Sequence, residues 1–257
     1  GLRLRLRLRG GRAVSRAPSR ADQPTRAQSR LLAEWLCGPR SRALRRAAIG
    51  LRRQVLEVGS GHGVVTAELQ QRARGVVTCL DLDHQALSGP DYPPHTPRVV
   101  GDCRALPFAA ASFDLVFFQN VLLWVTPPSA ALAEAVRVLT ASGVLVAVEP
   151  DYGGMMEHPE LGLRELWMAG LRAAGADPTV GRKLPALCEA VGLRVWVELS
   201  HLPQSAQPEA LGLLTDLPLP TSAESVIAHA RTIWQQRTGA WTPFVHLPYF
   251  LIVAERG

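Results

Sequence analysis

The sequence predicts an α/β fold, a three-layer sandwich in which a mostly parallel sheet is covered by helices on both faces. Three observations predict it. Short apolar, β-rich runs alternate with stretches of helical period along most of the chain. Those runs are apolar on both alternations, as strands buried on both faces must be. The last two runs are separated by a long insertion, which suits an antiparallel pair closing one edge of the sheet.

The elements follow in order. "SRLLAEWLCG", from Ser29, puts Leu31, Leu32, Trp35 and Leu36 on one helical face and ends at Gly38-Pro39; a second helical piece, "RSRALRRAAIG", follows. The first strand is "QVLEV" (54–58), then a helix over Val64–Ala73, the strand "VVTCL" (76–80) and a short helix over His84–Leu87. "SGPDYPPHTP" reads as a surface loop, and "RVV" (98–100) and "FDLVFF" (113–118) as strands. A helix over Ser129–Leu139 leads into the strand "GVLVAVE" (143–149). Helices around Leu161–Ala174 and Leu184–Val191, the strand "LRVWVEL" (193–199), a helix over Ala223–Arg237 and the closing strand "PYFLIVAER" complete the chain.

With 257 residues, 47% of them hydrophobic, the chain is long enough for one full core. Its net charge of +6 is divided unevenly. Residues 1–53 hold 15 Arg against Asp22 and Glu34, a balance of +13, which leaves −7 on the remainder. We therefore divide the chain into a basic leader, residues 1–28, expected to be a disordered tail in preference to a nucleic-acid arm or a transit peptide, and one domain over residues 29–257. Two segments of that domain, 151–191 and 201–243, are expected to cap a bound acceptor. Cys37, Cys79, Cys103 and Cys188 stand singly, with no zinc spacing, so we expect reduced thiols, no metal and a cytoplasmic location. No apolar run is long enough for a membrane span.

The chemistry is concentrated where open α/β sheets bind ligands, at the carboxyl ends of the strands. "LEVGSGHG" puts Gly59, Gly61 and Gly63 directly after the first strand, where a backbone without Cβ atoms can turn sharply and approach a ligand. A G-x-G-x-x-G dinucleotide loop would need its last glycine at position 64, which is Val64, so a nicotinamide enzyme is a poor fit. Asp81, ending the second strand, is placed to accept hydrogen bonds from both hydroxyls of a ribose. Asp102, just past the third, is placed to accept from an exocyclic amine such as that of adenine. Together they describe an adenosine lying across the strand ends.

At this point the chain resembles a known family, the class I S-adenosylmethionine-dependent methyltransferases. The resemblance is carried over about residues 53–150 by Glu57 with the three glycines, Asp81, "GDCRALPF", "FDLVFFQNVLLW" and "GVLVAVEP", in the family's order and spacing. It implies a Rossmann-like, seven-stranded sheet of order 3-2-1-4-5-7-6 with the last strand antiparallel, and S-adenosylmethionine as cofactor. The implied cofactor-binding residues are Glu57, Gly59, Ser60, Gly61, Gly63, Asp81, Leu82, Asp102, Cys103 and Asn120. Of these the glycines approach the methionine part and ribose, Asp81 binds the ribose hydroxyls, Asp102 with Cys103 flanks adenine, and Asn120 lies near the sulfur. Within the family the chain is most similar to the small-molecule branch that includes the quinone-biosynthesis enzymes (methyltransferase type 11). It departs at Trp124, where a histidine pair is common.

Methyl transfer from a sulfonium needs alignment and exclusion of water more than a dedicated base. The candidate bases on the acceptor side are Tyr152, His158 and His201. Glu57 divides evenly between donor contact and a capping or solvent-facing role, His62 reads as incidental, Cys103 as a packing residue, and Trp124, Trp167 and Trp196 as core. The expected partner is a small-molecule acceptor; the acidic body and the absence of a base-flipping segment after strand four speak against nucleic acid, and the oligomeric state is not legible. The alternatives are a catalytically inactive binder of the same donor, acting as regulator or partner, and a methyltransferase acting on a protein or nucleic acid.

Overall fold

The computed structural model describes residues 24–200, 204–205, 207–236 and 243–256. Seven strands form the main sheet: β1 (Gln54–Val58), β2 (Val76–Asp81), β3 (Arg98–Val100), β4 (Phe113–Gln119), β5 (Leu139–Pro150), and, after a short strand β6 (Met156–His158), β7 (Leu193–Ser200) and the closing β10 (Tyr249–Arg256). Their order is β3-β2-β1-β4-β5-β10-β7, with β10 antiparallel to both neighbours and the other pairings parallel. Counting main-sheet strands alone, this is 3-2-1-4-5-7-6, the Rossmann-like order expected from the resemblance.

Alternation along the strands builds a core on each face. Leu56, Val58, Val116, Phe118 and Leu145 point to one side, where they meet α4 (Pro128–Val138), α5 (Leu163–Ala173) and α6 (Val180–Ala190). Val55, Leu115, Phe117 and Val146 point to the other, toward α2 (Cys37–Arg46) and α3 (Thr66–Arg72). The first helix, α1 (Arg26–Trp35), lies across the carboxyl ends of the strands, and two more, α7 (Ala210–Thr215) and α8 (Ala223–Gln235), pack beyond α5.

The structure departs from the sequence reading in several places, among them Gly38-Pro39, which lie inside α2 and do not end the first helix, and α6, which starts at Val180. Helix α1 starts at Arg26, three residues inside the segment assigned to the leader, because Thr25 and Gln28 form a reciprocal capping box that fixes its first turn. Strand β5 starts at Leu139, four residues early, through a register shift opposite Phe113–Leu115. A second, three-stranded sheet joins β6 to β9 (Phe244–His246) and β8 (Gln204–Ser205). Helix α7 was also unassigned; both segments are too short for their periodicity to register. Residues 1–23 and His201 lie outside the described residues.

Candidate active site

The parallel strands deliver their chain reversals to one edge of the sheet, and a cavity of about 250 Å³ opens there. Its floor is the loop after β1. Gly59, Gly61 and Gly63 all adopt positive φ (+68°, +54° and +79°), yet they face different surroundings. A Cβ on Gly59 would lie 2.3 Å from Val121 Cγ2, and one on Gly63 2.7 Å from the Tyr92 ring, whereas one on Gly61 would meet nothing within 4 Å. Two glycines thus admit the protein's own side chains, and only the middle one leaves open space for a ligand. Gly59 and Gly61 line the cavity wall, and Gly63 lies behind it.

Tyr92, from the loop read as mere surface, closes the turn from behind. Its hydroxyl donates to the Gly61 carbonyl (2.7 Å) and accepts from Ser60 Oγ (2.8 Å). The neighbouring Asp91 accepts from Arg26 and Arg30 on α1, which hold its carboxyl well below the usual range. The same loop therefore sets the glycine turn and ties down the helix that roofs it.

Two carboxylates stand on the rim. Asp81 accepts from the Gly61 N–H at 2.7 Å and from the Asp83 N–H at 2.9 Å, while burial raises its pKa above the ordinary carboxylate value. Leu82 beside it is exposed. Asp102 is paired with Arg104, which donates from its guanidinium at 2.7 Å and from its backbone at 2.9 Å; this pairing lowers the Asp102 pKa. Cys103 lies between them and the core, and burial pushes its thiol up to about 12, so it stays protonated and packs.

Glu57 also touches the cavity, but its Oε2 is spent inward, accepting from Thr66 Oγ1 at 2.6 Å and from Cys79 Sγ at 3.4 Å. Burial raises it to about 7. Through this oxygen Glu57 braces β1 against β2 and α3. At the far end, Asn120 holds a left-handed conformation (φ 56°), which asparagine tolerates better than most residues. Its side chain hydrogen-bonds the Tyr249 hydroxyl.

Glu57, Gly59, Ser60, Gly61, Asp81, Leu82, Asp102, Cys103 and Asn120 therefore share one cavity. Among the wall residues that sequence reasoning did not assign to the site are His62, Val121, Trp124 and, from α1, Leu32. His62 was legible only by lying between two loop glycines. Trp124 and Trp167 pack against the core and also line cavity walls; Trp196 packs against the core of the opposite face beneath Arg46, whose guanidinium is 4.5 Å from the ring centre. Of the candidate bases, Tyr152 lies beside the site, stacked on Trp167 at 5.0 Å, while His158 is exposed, stacks on Phe244 and reaches none of the cavities described here. Among the described residues no cluster of side chains fits a metal ion, and no helix is long and apolar enough to cross a membrane.

Residues 56–147 match the profile of a family described as a methyltransferase domain. A 37.1 kDa protein of a transposon from Streptomyces fradiae is 27% identical over 212 residues, covering 78% of this chain and 61% of that protein. A demethylmenaquinone methyltransferase of Beutenbergia cavernae is 36% identical over 104 residues, covering 40% of this chain and 43% of that enzyme. The chain thus spans less than two thirds of the length of either relative. An S-adenosylmethionine-dependent methyltransferase from Methanosarcina mazei superposes with a TM-score of 0.54 at 16% identity, over 83% of this chain and 96% of that one, a likeness of fold.

Proposed function

We propose that this chain, whose residues 56–147 match a methyltransferase domain, is an S-adenosylmethionine-dependent methyltransferase that transfers a methyl group from S-adenosylmethionine to a small-molecule acceptor. The observation that carries the reading is a single cavity that joins the Cβ-free wall at Gly61 to the carboxylates of Asp81 and Asp102. These residues fit the cofactor's chemistry. Asp81, held in place by two backbone N–H groups, would accept from the ribose hydroxyls. Asp102 keeps lone pairs beyond those that Arg104 uses and would accept from the adenine amine. Gly61 and Asn120 would flank the methionine part.

The cofactor, when bound, supplies an electrophilic methyl group on a good leaving group. What remains for the protein is to fix the acceptor in line and to keep water out, which is a matter of proximity and orientation. Burial holds Tyr152 and Tyr249 protonated well above neutral pH, so both serve as hydrogen-bond donors to an acceptor oxygen and neither as a base. The test is turnover. Purified protein given methyl-labelled cofactor and a small-molecule extract should place label in the low-mass fraction. Donor binding without any transfer would favour the inactive binder, and label confined to protein or nucleic acid would overturn the acceptor class.

A further inference from the structure

The geometry points to an acceptor that is neutral, elongated and mostly apolar, bound in two cavities that continue inward from the donor site. This inference rests on the methyl-transfer reading above and deepens it. A second cavity, of about 100 Å³, shares Asn120, Trp124 and Leu32 with the first, so the two adjoin at Asn120, proposed to flank the methionine part of the donor. A third, of about 110 Å³, shares Tyr152, Trp167, Leu213 and Tyr249 with the second. The path therefore runs from the strand ends, between two tyrosines, into a chamber under α1 walled by Trp35, Trp167 and Trp234.

The lining selects the chemistry. Among the described residues the third cavity has no charged side chain in its wall; its polar members are Ser200, Gln207 and the two tyrosines, and Gln207 is already occupied by the Trp35 indole N–H at 2.9 Å. An ion there would lose its hydration without compensation. Flat aromatic walls instead reward rings or hydrocarbon. The second cavity also carries Gln28 and Asp216 in its wall, but these are hydrogen-bonded to each other at 2.6 Å, whereas the Tyr152 hydroxyl has no hydrogen-bond partner among the described residues and stands beside Tyr249, paired to Asn120. A phenol offering a hydrogen bond near the donor end suits an acceptor with a carbonyl or hydroxyl at its reacting end and an apolar remainder in the chamber.

The probe is N-phenyl-1-naphthylamine, a neutral two-ring fluorophore, titrated into the full chain with and without saturating S-adenosylhomocysteine. We expect saturable binding with emission sensitised by tryptophan excitation, unaffected by the nucleoside. The sulfonated analogue of the same skeleton should bind at least tenfold more weakly. Leu213→Trp, which fills the junction of the second and third cavities, should weaken the neutral probe at least tenfold and leave S-adenosylhomocysteine affinity within twofold. Should that variant fail to fold, Leu213→Gln should weaken the probe at least threefold. Absence of probe binding, its displacement by S-adenosylhomocysteine, equal affinity for the sulfonate, or insensitivity to the Leu213 variants would overturn the inference with the donor reading intact. Absence of S-adenosylhomocysteine binding would instead overturn the methyl-transfer reading and, with it, the acceptor assignment.

Discussion

Replacing Asp81 by alanine should cost the protein most of its hold on the donor. In the proposed pose the carboxylate accepts two hydroxyl hydrogen bonds, and bonds to an ionised acceptor contribute about 1.5–3 kcal/mol each. The gross loss is partly offset, because the Gly61 and Asp83 N–H groups freed by the substitution border the cavity and can take water. A net loss of about 2–4 kcal/mol remains, which raises the dissociation constant about 30- to 1000-fold. Asp81→Asn, which keeps one acceptor and the shape of the turn, should fall between wild type and Asp81→Ala. Calorimetric titration with S-adenosylhomocysteine measures both, with thermal melts to confirm folding. Wild-type affinity should also decline as pH drops into the acid range, since burial already raises the Asp81 pKa and a protonated carboxyl offers one acceptor fewer. A dissociation constant for Asp81→Ala within threefold of wild type would refute the assignment.

Gly61→Ala and Gly63→Ala should separate binding from stability. The first places a methyl group in open space at a cost of about 1 kcal/mol of backbone strain and lowers donor affinity; the second drives a Cβ into the Tyr92 ring and should destabilise by about 2 kcal/mol or more, read from urea midpoints. Tyr92→Phe removes the hydroxyl that joins Ser60 to the Gly61 carbonyl and should cost about 1 kcal/mol of stability. Glu57 and Glu149 are both fully buried and raised to about 7 from the ordinary 4.5. At these two groups the folded state therefore binds more protons than the unfolded one in between, so their contribution to stability is full below pH 4.5 and is lost as pH rises through about 7. The slope is about 1.4 kcal/mol per pH unit for each group. Glu149→Gln keeps the carbonyl that accepts from the Val121 and Leu122 N–H groups and should halve that slope.

The strands were legible because each is a short apolar run bounded by loop or helical sequence. The donor cavity was legible for the same reason: its carboxylates and glycines sit at fixed offsets from strand ends, so finding the strands finds them. What escaped depends on contacts distant in sequence. Nothing local to Tyr92 announces that its ring fills the space under Gly63, and nothing local to Glu57 shows that Thr66 and Cys79 occupy one of its oxygens. The cavity-facing side of Trp124 and Trp167 escaped because an aromatic at helical spacing looks alike whether it faces a filled core or a cavity. The small second sheet escaped because strands of two or three residues carry no period.

Helix α1 is fastened at both flanks, by Arg26 and Arg30 to Asp91 on one side and by Gln28 to Asp216 on the other, and its Leu32 borders all three cavities. Both reactants thus share one ceiling. A substitution that loosens either fastening is felt by donor and acceptor together, so kinetic constants for the two substrates should shift in concert, whereas changes to the floor residues act on one substrate at a time.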